Sequence, residues 1–304
     1  MKLALFVGLG IVCAVYVAVL VRAVLRSRAG GDPRVAPSAF ELALGFVTCF
    51  FDTLGIGSFA PTTAVLKLRS LVADEKIPGT LNVGHTLPTI TQAFIFIAIV
   101  SVDLKTLVLM IAAAVFGSWF GAGFVAGAPR RKIQIGMGFA LLAAAALFLM
   151  QIFHVTPPGG DALGLGGWKL AAALTGNFLL GALMEVGVGL YAPCMILVSL
   201  FGMNPQSAFP IMMGSCAFLM PVGSLRFIQS GSYSLRTTLG LGLGGVPAVL
   251  IAAFIVKSLP LAALRWLVVV VVLYAALSML RSAATEAKAA GVRSRVPESV
   301  PPAA

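Results

Sequence analysis

Two stretches decide the reading of this chain: Gly55-Ile56-Gly57-Ser58-Phe59-Ala60-Pro61 and its echo Gly187-Val188-Gly189-Leu190-Tyr191-Ala192-Pro193. They lie 132 residues apart, and Phe46 pairs with Phe178 in the same ungapped register. Each follows one long apolar run and precedes another. Glycine raises the entropy cost of a helix, and proline removes a backbone donor. Both apolar runs are therefore expected to break here. In a bilayer such breaks are tolerated only against protein or a water-filled cavity, and paired breaks in two halves of a chain point to a transporter binding site.

The composition makes a bilayer the right solvent. Of 304 residues, 60% are hydrophobic and 10% charged, with mean hydropathy +1.04. A soluble domain carries about 25% charged residues. The net charge of +11 comes from basic residues gathered at the ends of apolar runs, as the positive-inside rule expects. No basic stripe interleaved with aromatics suggests nucleic acid. Cys13, Cys49, Cys194 and Cys216 lie in apolar segments without CxxC spacing, so they read as free buried thiols rather than a disulfide or zinc framework. No HExxH, GxSxG or Walker motif occurs, and neither enzymatic activity nor a cofactor is implied.

The predicted fold is an all-α polytopic membrane protein, with about seven transmembrane helices plus two re-entrant half-helix hairpins in two inverted repeats. Residues 1–37 form an amino-terminal transmembrane helix (about 3–25) and a basic loop, too long an apolar core for a cleaved signal peptide. Residues 38–154 form the first transport repeat, with half-helices at about 39–53 and 61–69 and spans at 79–101, 105–127 and 133–153. A Gly/Pro-rich loop covers 155–167. Residues 168–281 form the second repeat, with a broken element at 168–201 and spans at 206–228, 236–257 and 261–280. Residues 282–304 read as a disordered tail. Further matches support the duplication: Asp103–Thr106 with Ser234–Thr237, Gly84 with Gly214, and the Pro–basic turns at Pro129 and Pro260. Re-entrant hairpins gather most lysines and arginines on one side, whereas single crossings scatter them. Hairpins therefore fit the positive-inside rule better, with the amino terminus outside and the carboxy terminus cytoplasmic. A hairpin plus three spans is an odd number of crossings, so the halves are inverted.

The chemistry is expected at the tips. Proline suits the first helical position, and Ser58 is placed to cap the half-helix after it. Two helix amino termini meeting near the midplane would offer free N–H groups and positive dipole ends to an anion. The bland reading is close glycine packing without a ligand. Candidate binding residues are Gly55, Gly57, Ser58, Thr62, Gly187, Gly189, Cys194, Asn82 and His85. Asp52 and Glu185, just before the tips, are candidate proton carriers, or carboxylates that only cap a neighbouring helix. Gln92 can face the cavity or bond across helices, and Arg226 can snorkel or bind.

The tips, the duplicated layout and the Pro–basic turn before each half's last span resemble the TauE/SafE family (sulfite exporter, or toluene-sulfonate uptake permease) across about residues 40–280. Ser58 and Leu190 stand where that family more often has glycine. The resemblance implies an inner-membrane permease for sulfite, sulfoacetate or a related sulfur oxyanion or sulfonate, with the lipid bilayer and a small anion as partners. Other readings are a cation-coupled transporter or cation carrier using Asp52 and Glu185, a non-transporting scaffold, and an intramembrane enzyme pairing Cys194 with His85.

Overall fold

The computed structural model describes residues 2–30, 35–155, 159–187, 189–254, 266, 269–270, 273–274 and 276–285. Among the described residues the chain is helical, without a named strand. The helices are α1 (Lys2–Ala29), α2 (Ala39–Thr53), α3 (Phe59–Leu68), α4 (Ile77–Ile99), α5 (Leu104–Val125), α6 (Arg130–Ile152), α7 (Gly167–Met184), α8 (Tyr191–Leu200), α9 (Ala208–Ser230) and α10 (Leu235–Phe254). Residues 276–285 are also helical. Among the described residues, four helical segments are long and apolar enough to cross a membrane: Lys2–Ala29, Leu104–Val125, Pro205–Ser230 and Leu235–Phe254. The protein is an integral membrane protein. Most of the expected span at 261–280 lies outside the described residues.

Both broken runs do break. Helix α2 starts at a capping box, in which Ser38 accepts from the Glu41 N–H and the Glu41 carboxylate accepts from Ser38. It stops before Gly55 and Gly57, at φ +91° and +88°, and Gly187 sits at +103°. Side chains rarely adopt that backbone region, so glycine is what lets the chain turn here.

Three expectations need correcting. The second half-helices begin at Phe59 and Tyr191, so Pro61 and Pro193 occupy the third helical position rather than the first. That position still needs no intrahelical donor. Ser58 stands at the start of α3 but makes no side-chain cap bond. Residues 282–285, expected to open the disordered tail, continue the helix; the rest of that tail lies outside the described residues.

The two halves exchange partners. Helix α2 packs on α10, and α7 packs on α5, through glycine contacts. A Cβ on Gly45 would lie 2.5 Å from the Leu241 carbonyl, and one on Gly244 would lie 2.0 Å from that of Leu42. In the other half, a Cβ on Gly117 would lie 1.9 Å from the Phe178 carbonyl, and one on Gly181 would lie 2.2 Å from that of Ala114. Gly84 makes room for the Leu241 side chain, and its repeat mate Gly214 makes room for Ile111. Gly84 and Gly214 stand at the same spacing as Ile111 and Leu241, so the contacts map onto one another when the halves are swapped.

Contact order gives the helix directions. Cys49 meets His85 and Asp52 meets Gln92, so α2 and α4 run the same way. Asn177 meets Ser215 and Glu185 meets Gly223, so α7 and α9 run the same way. Gly79 meets Phe227, Thr86 meets Ser224 and Ile97 meets Gly214, so α4 and α9 run oppositely.

Polar contacts tie the helix ends into two belts. At one end, Arg236 and Thr237 bond Glu41, the Ser234 N–H bonds Thr80, and Ser232 bonds the Ala126 carbonyl. Asp74, in the turn before α4, accepts from Lys67, Arg130 and Gln134, and Lys67 reaches Ser282. At the opposite end, Asp103 caps α5 and bonds Leu163, Leu165 bonds Thr106, and Ser207 bonds the Ser101 carbonyl. Helix α1 lies outside this body and is anchored by the Tyr16 hydroxyl on the Val83 carbonyl. Its far side exposes Leu3, Val7, Ile11 and Val15.

Candidate functional site

One cavity of about 40 Å³ separates the two tips. The first tip contributes Ile56, Gly57, Ser58, Phe59 and Ala60, and the second contributes Gly189, Leu190, Tyr191, Ala192 and Pro193. Asp52 and Met184 come from the helix ends before the tips, Thr89 from α4, Cys216 from α9, and Ala144 and Leu147 from α6. The volume suits a few water-sized groups. The wall is mostly apolar with a few polar groups, as in small-ligand sites. The first turns of α3 and α8 both reach it, so two sets of helix-start N–H groups lie at one space.

The side-chain network behind the tips joins the halves. Gln92, buried on α4, donates to Asp52 Oδ2 at 2.8 Å and to Thr53 Oγ1 at 2.9 Å. Its carbonyl oxygen accepts from the Tyr191 hydroxyl. Ser58 and Asp52 line the same cavity. Asp52 thus has a side-chain donor in Gln92.

The sequence-predicted residues separate into groups. Gly57, Ser58, Gly189 and Asp52 line the cavity. Gly55 packs against the Phe209 ring, and Gly187 against Met137. Thr62 and His85 lie behind the first tip. The His85 ring is bracketed by Cys49 Sγ at Nδ1 and Thr62 Oγ1 at Nε2, both 3.2 Å away, and sits 5.8 Å from the Phe59 ring. Asn82 turns back to the Pro78 carbonyl, and its Oδ1 is buried without a partner. Cys194 is fully buried outside the cavity wall. Glu185 is also outside it, against Ser118 and Gly223. Arg226 stacks 4.5 Å from the Trp119 ring centre, away from the tips.

The structure adds Tyr191, Thr89 and Cys216 to the cavity wall. Tyr191 was visible in the second tip as the one aromatic whose hydroxyl has no counterpart in Phe59. Thr89 falls between His85 and Gln92 at helical spacing, a stripe on one face of α4.

The family model described as Sulfite exporter TauE/SafE matches residues 169–303. That stretch contains the second tip, α8, α9 and α10; the first tip lies outside it and is tied to the second by internal likeness. No curated protein and no solved structure matches the chain.

Proposed function

We propose that this chain is a permease that moves a small anion, a sulfur oxyanion or organosulfonate such as sulfite or sulfoacetate, across the bacterial inner membrane by alternating access. The observation that carries the reading is the meeting of both tips at one cavity. Gly57, Ser58, Gly189 and Leu190 form the backbone cradle, and the first-turn N–H groups of α3 and α8 receive the anion. The family match supports the cargo class.

The helix directions support re-entrant hairpins and inverted halves. Since α2 and α4 run the same way, α3 must return the chain to the end where it entered. The same holds for α8 between α7 and α9. The opposite sense of α4 and α9 is what inversion requires. The belt holding Lys67, Arg69, Lys76, Arg130, Arg131, Lys132 and Arg236 is the cytoplasmic one by charge, which puts the amino terminus outside and the carboxy terminus inside.

Counterflow of radiolabelled sulfite and a small sulfonate in liposomes tests the site. Gly189→Leu is the sharp variant, because a Cβ at Gly189 meets only Phe59, at 3.9 Å. The fold should hold while the side chain fills the cavity. Saturable exchange in the wild type, lost in a monodisperse Gly189→Leu protein, is expected; equal exchange by both overturns the site.

Asp52 favours a second reading. A carboxylate on the cavity wall can hold a cation, so transport coupled to a cation, or of a cation itself, gives Asp52 a ligand's role. Asp52→Asn then eliminates cation-dependent uptake. Glu185 has no place on that wall.

A further inference from the structure

Asp52 and Glu185 sit beside equivalent tips in unlike surroundings. Gln92 donates to Asp52. Glu185 is fully buried, and its only hydrogen-bond partner among the described residues is Ser118 on α5. Its Oε2 has none. Gly223 on α9 forms the floor: a Cβ there would lie 2.5 and 2.7 Å from the two carboxyl oxygens.

The proton inventory at Ser118 is short by one. Its Oγ lies 2.5 Å from Glu185 Oε1 and also 3.2 Å from the Leu219 carbonyl. A hydroxyl has one proton to donate, while a carbonyl and an ionised carboxylate can only accept. The arrangement closes if Glu185 supplies a proton: its O–H donates to Ser118 Oγ, and Ser118 donates to Leu219. An ionised Glu185 would leave a charge without a counter-ion in an apolar pocket, which is strongly unfavourable.

Among the described residues the neighbours offer no compensating charge. From α9, the Cys216 thiol bonds Met184, the residue before Glu185, and Arg226 one turn beyond Gly223 is stacked on Trp119 of α5. From α6, Gly136 and Met137 touch Val186 and Gly187, while Gln134 on the same helix serves Asp74. The residue before Glu185, Met184, is on the cavity wall.

We propose that Glu185 is the proton-carrying group of the transport cycle, held here as the neutral acid that pins the end of α7 to α5 and α9. This rests on the anion-permease reading and adds its coupling ion. When α7 leaves Ser118 and Gly223, water reaches the carboxyl. The O–H bond breaks, the proton passes to water, and the hydrated carboxylate is left. Reprotonation on the other side restores the packed state. Glu185 directly precedes the second tip, whose Gly189 and Tyr191 line the anion cavity. One proton accompanies each anion.

Two measurements test this. Infrared difference spectra of purified wild type against Glu185→Gln, at neutral pH and without substrate, should show a carboxylic-acid carbonyl band lost in the variant; no such difference overturns the protonated state. In liposomes holding a pH-sensitive dye, a sulfite or sulfonate gradient should drive proton movement in the wild type. Glu185→Gln, a permanent mimic of the neutral acid, should keep counterflow, lose proton movement and lose the pH dependence of exchange. Unchanged proton movement in the variant, or a folded variant without counterflow, overturns the coupling role. Wild type that exchanges none of the anions would sink the permease reading instead, and the infrared result still decides the proton on Glu185.

Discussion

Gln92 is where one residue joins the two halves. It donates to Asp52 and Thr53 of the first broken helix and accepts from Tyr191 of the second half. Replacing it with leucine strands a buried carboxylate, which costs about 1–3 kcal/mol. A lower melting temperature in detergent is expected for Gln92→Leu, with part of the loss recovered when Asp52→Asn is added. Tyr191→Phe removes one bond and should cost about 1 kcal/mol; equal losses from all three would mean that the network does not hold Asp52. At this scale the sequence was partly legible. The tip residues declare themselves by glycine and proline, but which polar groups of α4 face the cavity does not follow from their types. Nearly all of α4 from Ile77 to Ala93 is buried. A helix enclosed on all sides has no polar face to reveal its orientation. His85 and Asn82 therefore read as candidates while Thr89 did not, yet Thr89 lines the cavity and the other two are spent on Cys49, Thr62 and Pro78.

The elements are held by glycine crossings between halves rather than within them. Gly45, Gly240 and Gly244 join α2 to α10, and Gly117, Gly121 and Gly181 join α7 to α5. Lipid tails are as apolar as leucine, so close backbone approach is what associates such helices. Gly181→Leu should be destabilising by at least about 1–3 kcal/mol, since even its Cβ would lie 2.2 Å from the Ala114 carbonyl. Gly123→Leu, in open space on the same pair, should melt like the wild type. Similar melting by both would argue against the crossing as a main support. Helix positions followed well from apolar run length, because bilayer thickness fixes that length. The half-helix starts missed by two residues, since φ limits at proline allow several of the first helical positions. The exchange of partners between halves was beyond the sequence, because glycines mark a close approach without naming the helix that approaches.

For the whole molecule the two belts set which ends share a membrane face. Asp74 anchors one belt. Burial alone would push its carboxyl up, but hydrogen bonds from Lys67 and Gln134, with the charges of Lys67 and Arg130, more than offset this and hold it below its ordinary value. Its stabilisation is then present above the unfolded value near about 3.9 and is lost as pH falls through the lower folded value. Asp74→Asn should lower the melting temperature at neutral pH, with a loss of about 1.5–3 kcal/mol of stability for weakened hydrogen bonds to a charged group, and the gap to wild type should close in strong acid. The same belt bears on the proposed choice of hairpins over crossings. Glu41 at the start of α2 and Thr80 at the start of α4 both bind the first residues around α10. A single crossing by α2 and α3 would put those two starts a bilayer apart, which one helix end cannot bridge. Ala36→Cys and Leu71→Cys, in a Cys13→Ala background, should therefore react with a membrane-impermeant maleimide from one and the same side, the cytoplasmic one. Leu163→Cys and Gln206→Cys should both react from the opposite side. Labelling of Ala36→Cys and Leu71→Cys from opposite sides would replace the proposed hairpins with crossings, remove the proposed inversion of the halves, and take with it the proposed convergence of two helix starts on an anion.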